Sequence, residues 1–180
     1  MSYTDTITNP NGTPVQEDFP TILGRYQDLV YRIALTHTGT LHDAQDVFQE
    51  VFLIYWRKKP LLHDEEHRQA WLITTARNCA KQITSGSWHR RVVLVDEPPQ
   101  PLQPDKEAFH FETAEQNEVF AALQKLPARY RTVLHLFYFE DMSVAQIAAA
   151  LQIAAGTVKV QLTRGRQLMR EELKGAYFYE

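Results

Sequence analysis

Lys159, Arg164, Arg166 and Arg170 lie within residues 143–170, a stretch that reads as two short helices joined by a tight turn. Cations this close on one helix neutralise phosphates, and the side chains between them can reach base edges. That is the layout of a helix-turn-helix, whose second helix lies in the DNA major groove. Ser143 is a good N-cap, and Gln146 three residues on completes a capping box. Ile147, Ala148 and Leu151 form an apolar stripe at helical spacing. Ile153 can plug the angle between the helices. Gly156 and Thr157 open the second helix, with Val158, Leu162, Leu168 and Met169 available to face inward. Taken alone, the stretch also fits a pair of packed helices in any all-α protein.

Other groupings suggest other chemistry. Asp43, Asp46 and Glu50 fall at i, i+3 and i+7 of one helix face, with Gln49 beside them. Such a row suits metal binding or acid/base work only if a second element completes it, and no second carboxylate cluster is placed to do so. A solvated face is the simplest account; a surface that docks on a basic protein is the functional one. His63 and His67 stand four apart around Asp64-Glu65-Glu66, superficially like a zinc protease helix. That motif needs Glu directly after the first His, where this chain has Asp64. Trp88 sits in the basic stretch from Lys81 to Arg91, where an aromatic can stack on an unpaired base or pack against a helix. No phosphate-binding glycine loop and no nucleophile–base pair is recognisable, so an enzyme, a metal or a cofactor finds little support.

The chain of 180 residues suffices for one ordinary domain or two small ones, and its 44% apolar content predicts a folded core. No apolar run reaches the length of a membrane span, and the first residues lack the order of a signal peptide. The single cysteine, Cys79, falls among apolar residues mid-helix, which predicts buried packing and fits a reducing, cytoplasmic setting. A net charge of −3 looks wrong for a DNA-binding protein until it is divided along the chain. Residues 1–18 carry −3 and residues 92–117 carry −5, whereas 19–91 carry +3 and 118–180 carry +2. The negative charge is confined to the tail and the connector.

These elements predict an all-α chain: two small helical modules joined by a flexible, acidic, Pro-rich linker, the C-terminal module holding the helix-turn-helix. A disordered tail is expected over 1–18. Helices are expected from Phe19 to about His37, from Leu41 behind the N-cap Thr40 to the cluster Arg57-Lys58-Lys59, and from about His67 to Thr84. The first module would span 19–91. Residues 92–117, with Pro98, Pro99, Pro101 and Pro104, would form the linker, with a helical restart near Phe111. Extended, it could reach at most roughly 90 Å, enough to let two modules sit at separate places on a duplex. The second module would span 118–175, with Pro127 at a helix start.

Read together, the modules resemble a known family. Asp43-Ala-Gln-Asp-Val-Phe-Gln-Glu-Val-Phe52 and Ala70-Trp-Leu-Ile-Thr-Thr-Ala-Arg-Asn-Cys-Ala80 are similar to the first conserved region of bacterial sigma factors of the small extracytoplasmic-function (ECF) group. Leu126-Pro-Ala-Arg-Tyr-Arg-Thr-Val-Leu134, Met142-Ser-Val-Ala-Gln-Ile-Ala148 and Gly156-Thr-Val-Lys159 resemble the second. The resemblance implies a factor that binds core RNA polymerase and promoter DNA, performs no chemistry and needs no cofactor or small-molecule substrate. It implies that Asp43, Asp46, Gln49 and Glu50 dock on the polymerase. It implies that His63, His67, Arg68, Arg77, Asn78, Lys81, Trp88, Arg90 and Arg91 serve the −10 element, where a base leaves the stack as the duplex opens. Thr157, Lys159, Val160 and Arg164 would face the −35 element, with Ser143 beside them and Arg129, Arg131 and Arg166 on phosphates. An anti-sigma partner is a family expectation that no residue here identifies. Three departures bear on specificity: Gln152 where the family often has Gly, Val160-Gln161 in place of a commoner Ser-Arg, and Gln82 where many members have Asp. The alternative reading is a DNA-binding regulator that uses the helix-turn-helix alone, with the N-terminal helices sensing or dimerising.

Overall fold

A computed structural model describes residues 17–62, 64–85 and 114–177, in which seven helices and no strands occur. Most of the expected tail and linker, together with His63, Trp88, Arg90 and Arg91, lie outside the described residues. The first three helices are α1 (Phe19–Thr38), α2 (Leu41–Lys58) and α3 (Glu65–Thr84). They are followed by α4 (Ala114–Lys125), α5 (Ala128–Tyr138), α6 (Val144–Leu151) and α7 (Ala155–Tyr177). Among the described residues no helix is long and apolar enough to cross a membrane.

Local chemistry sets most helix ends. Asp18 caps α1 by accepting the Thr21 amide at 3.0 Å, and Thr40 caps α2 by accepting the Asp43 amide at 3.1 Å. Asp64 caps α3 through the His67 amide, so that helix begins at Glu65, two residues before the expected start. The tail boundary also moves. Glu17 and Asp18 are held in place, Glu17 by ion pairs of 2.7 Å to Arg25 and 2.9 Å to Arg68. Likewise α4 starts at Ala114, inside the expected linker.

The apolar stripes of α1, α2 and α3 close on one another around Ile22, Val30, Phe48, Phe52, Leu72 and Ile73, all fully buried. Cys79 is buried there as packing. The second module packs α5, α6 and α7 around Val133, Leu136, Ile147 and Val158. Gly165 lets Leu134 of α5 pack tightly on α7, since a Cβ there would lie 3.0 Å from Leu134 Cδ1.

The sequence left the relative placement of the two modules open, and in the structure they pack together. Helices α1 and α3 pack against α4, α5 and α6, and the buried residues of both modules form one continuous cluster. Polar groups stitch this junction. Arg32 of α1 holds Glu140 with two hydrogen bonds of 2.8 and 2.7 Å. Glu140 also accepts from His135 Nε2 at 3.0 Å, and His135 Nδ1 lies 2.8 Å from the Thr36 hydroxyl. The Thr132 hydroxyl donates to the Ala128 carbonyl, so it accepts from His37 Nε2 at 3.0 Å. Gln124 of α4 donates to the Leu35 and Thr36 carbonyls, capping the C-terminal end of α1. Gly39 turns the chain there at φ 78°, a left-handed conformation suited to glycine.

Two groups at this junction couple folding to pH. Burial, with the charges of Arg131, His135 and Arg77 around it, lowers the His37 pKa from 6.5 to about 3. Burial pushes Glu140 upward, but hydrogen bonds and charge from Arg32 and His135 outweigh it and hold the carboxyl below its usual range. Both groups therefore bind protons more readily in the unfolded chain. Below about pH 6.5 the unfolded His37 protonates while the folded one does not, so stability falls with acidification toward pH 3. The slope from this one group approaches about 1.4 kcal/mol per pH unit, and Glu140 adds to it below about pH 4.3. Urea unfolding between pH 7.5 and 4.5 (conditions on the order of those in which His titrates) is expected to show this decline. His37→Asn should flatten it by close to one proton's worth; an identical slope in both proteins would contradict the assignment.

Candidate nucleic-acid interface

On α2, Ala44, Val47, Phe48, Val51 and Phe52 turn inward, which leaves Asp43, Asp46, Gln49 and Glu50 half-exposed along the flank. Asp43 binds the Thr40 hydroxyl at 2.8 Å, and Asp46 lies 3.9 Å from His42 Nε2. The row is real, yet no group of three His, Cys, Asp or Glu residues among those described could hold a metal ion. What the row presents is an anionic, half-exposed surface.

Helix α3 carries the second group. Thr74, Arg77, Asn78 and Lys81 fall at i, i+3, i+4 and i+7 and so share one face. Asn78 and Lys81 are exposed, as is His67 near the helix start, whereas Arg77 is half-buried. Arg68 departs from its expected role. Its side chain is 11% exposed and spans inward to Glu17, with Glu65 3.8 Å away, so its guanidinium ties α3 to the start of α1.

The third group is the helix-turn-helix. Both halves of the Ser143–Gln146 capping box form, with Gln146 N to Ser143 Oγ at 3.2 Å and Ser143 N to Gln146 Oε1 at 2.9 Å. Ser143 is therefore committed to starting α6. Residues 152–154 make the turn, and Ile153 packs against the core from within it. Val158 and Leu162 anchor α7, so Thr157, Lys159, Val160 and Arg164 all face solvent. Val160 is 68% exposed, an apolar side chain among polar and cationic neighbours. Thymine methyl groups are natural partners for such a residue in a major groove.

The three arginines expected on phosphates divide. Arg129 is exposed, its guanidinium 4.7 Å from the Tyr130 ring centre. Arg166 is exposed and oriented by a 2.8 Å hydrogen bond to the Tyr138 hydroxyl, with the Phe137 ring 5.6 Å away. Arg131 instead turns inward, donating to the Gln124 carbonyl at 2.8 Å and its side-chain oxygen at 3.2 Å. It belongs to the junction between modules. Sequence reading also missed Arg32, Thr36, His37, Thr132, His135 and Glu140. A usable signal was present: Thr36 and His135 interrupt apolar runs, and a polar side chain on a buried stripe requires a partner.

Comparison with known proteins matches this arrangement. The family described as Sigma-70 region 2 matches residues 22–88, and Sigma-70, region 4 matches residues 116–169. The ECF RNA polymerase sigma factor SigL of Mycobacterium tuberculosis is 33% identical over 150 residues, covering 81% of this chain and 84% of SigL. SigW of Bacillus subtilis, also an ECF RNA polymerase sigma factor, is 26% identical over 175 residues, covering 88% of this chain and 90% of SigW. Among solved structures, the sigma factor RpoE of Bartonella quintana, in complex with the anti-sigma factor NepR, aligns with a TM-score of 0.63 at 22% identity. That alignment covers 87% of this chain and 97% of RpoE. CnrH, in complex with the cytosolic domain of CnrY, aligns with a TM-score of 0.59 at 20% identity, over 87% of this chain and 88% of CnrH. At those identities the likeness is one of fold.

The turn itself carries a testable strain. Gln152 sits at φ 55° and ψ 44°, left-handed, where its amide closes the end of α6 on the Ala148 and Ala149 carbonyls. A side chain in that conformation costs roughly 1–2 kcal/mol, while glycine loses about 0.5–1 kcal/mol more entropy on folding. Strain wins, so Gln152→Gly should stabilise the protein by about 0.5–1 kcal/mol. Denaturant titration reads this directly, and a lowered midpoint would mean that the turn is not strained.

Proposed function

The chain belongs to the sigma-70 family of RNA polymerase sigma factors, in the ECF group, and from that premise we propose how its two modules divide the work of initiation. As an alternative sigma factor it binds core RNA polymerase and directs promoter-specific transcription. The bonds are made and broken by the polymerase. What carries the division of labour is the separation of three surfaces: the anionic flank of α2 and the polar face of α3 on the first module, and the cationic face of α7 on the second.

The α2 flank, through Asp46, Gln49 and Glu50, docks on a basic surface of the polymerase, where complementary charge favours encounter and register. The α3 face, through Arg77, Asn78 and Lys81, holds the opened −10 strand. Lys159 and Arg164 place α7 in the major groove of the −35 element, while Thr157 and Val160 read base edges there. Arg129 and Arg166, stacked on tyrosine and phenylalanine rings, supply phosphate contacts from the flank of the same module. The protein works in the cytoplasm, where its polymerase is, and an anti-sigma factor regulates it, as the RpoE–NepR complex supports.

Run-off transcription with purified core polymerase and a pool of promoter fragments tests the reading. Discrete start sites that depend on the protein are expected, and they define both promoter elements. Asp46→Lys with Glu50→Lys should abolish core binding while leaving duplex binding intact. Replacing Lys159 and Arg164 together by Ala should weaken duplex binding at every sequence and reduce its salt slope by roughly two counterions. Specific duplex binding without core binding or initiation would instead assign the chain to the ordinary helix-turn-helix regulators.

A further inference from the structure

We propose that Glu17 and Arg68 are positioning residues for −10 recognition: without touching DNA, they set the rotation of α3 and so where its exposed face stands. This deepens the reading of α3 as the −10 surface and rests on it. Four charges alternate in a closed ring where α3 begins against the start of α1. Glu17 meets Arg25 at 2.7 Å and Arg68 at 2.9 Å, while Glu65 meets Arg25 at 3.1 Å and Arg68 at 3.8 Å. Arg25 and Glu65 are open to solvent, but the side chains of Glu17 and Arg68 are only 10% and 11% exposed. Removing either of that pair strands the other charge in the protein, so the pair holds its geometry.

Arg68 lies on the inward face of α3, one turn before Leu72 and in line with Ala76 and Cys79. Beyond Ile73 the buried residues of the helix are small: Ala76, Cys79 and Ala80. Small side chains interlock little with their neighbours, so packing there resists rotation of the helix only weakly. The exposed residues His67, Asn78 and Lys81 recur at i, i+11 and i+14, on a different stripe. Side chains stand roughly 5–6 Å from a helix axis, so a turn of about 20° moves them by roughly 2 Å. Recognition demands placement to within about 0.5 Å. A helix turns as a rod, and a grip on its first turn therefore fixes Asn78 and Lys81 at about three turns' distance. Arg68 thus acts through the helix that carries the DNA-facing groups.

Run-off transcription from promoters carrying each single-base change in the −10 element, and separately in the −35 element, tests this. Glu17→Ala and Arg68→Met should each lower discrimination among −10 variants several-fold. Discrimination among −35 variants and affinity for core polymerase should stay as in the wild type. A merely structural role would reduce initiation by one factor at every promoter and leave the −10 ratios unmoved, which would overturn the proposal. The double variant should discriminate no worse than Arg68→Met alone, because both residues act through one contact. Additive losses would overturn it equally. Should Arg68→Met lose its helical dichroism, Glu17→Ala, which lies outside every helix, must still show the loss with helicity retained. Asn78→Ala checks the underlying reading. If it leaves −10 discrimination intact, α3 is not the −10 surface and both fall; if it lowers discrimination and Glu17→Ala does not, only the positioning role falls.

Discussion

A carboxylate that is 6% exposed cannot be left without partners, and Glu140 is that carboxylate. It sits in the turn between α5 and α6, and its partners are divided between two places. His135 reaches it from the preceding helix, while Arg32 reaches it from α1, over a hundred residues earlier in the chain. The forked guanidinium matches both carboxylate oxygens, so the pair fixes direction as well as distance. The turn that launches the helix-turn-helix is thereby set relative to the first helix of the protein. Little else in the second module has that freedom of position removed so directly.

Consequences run outward from that turn. Asp141 takes a left-handed φ of 50° and Met142 returns a hydrogen bond to the Leu136 carbonyl, which aims the chain toward Ser143. The capping box then starts α6, and the strained Gln152 ends it after eight residues. Helix α7 is received against α5 at Gly165, where the absence of a side chain lets Leu134 pack at contact distance. Each step is a local rule, yet the direction in which α7 presents Thr157, Lys159 and Arg164 depends on all of them. Base recognition needs that direction held to within a fraction of a side chain's length.

Helix identity was legible in the sequence because caps and apolar periodicity are local. Thr40, Ser143 and the stripe through Phe48 and Phe52 could be read without knowing the fold. The family motifs likewise lie within a single helix or run into one from the residues that start it. What could not be read was partnership. An apolar stripe declares that it will be buried, but not against which helix, so the joining of α1 and α3 to α4, α5 and α6 was invisible. Charge type misled for the same reason. Arg68 and Arg131 look like Arg129 in sequence, and only packing decides that two of the three spend their hydrogen bonds inside the protein. Glu17, placed in the expected tail, is the counter-charge that claims Arg68.

The junction's composition bears on whether it can open. A core of leucines would expose its apolar surface on separation, at about 25 cal/mol for each Å². Here Arg32, Glu140, His135, Thr36, His37, Thr132 and Gln124 add polar contacts to the shared apolar cluster, and those that cross between the modules would exchange their partners for water on separation. The net contribution of such hydrogen bonds is modest, on the order of 1 kcal/mol apiece. The cost of leaving one partner buried and unsatisfied is larger. A network of this kind therefore disfavours half-open states more than fully open ones. It makes the junction specific, because each crossing contact is selected by geometry as well as by charge.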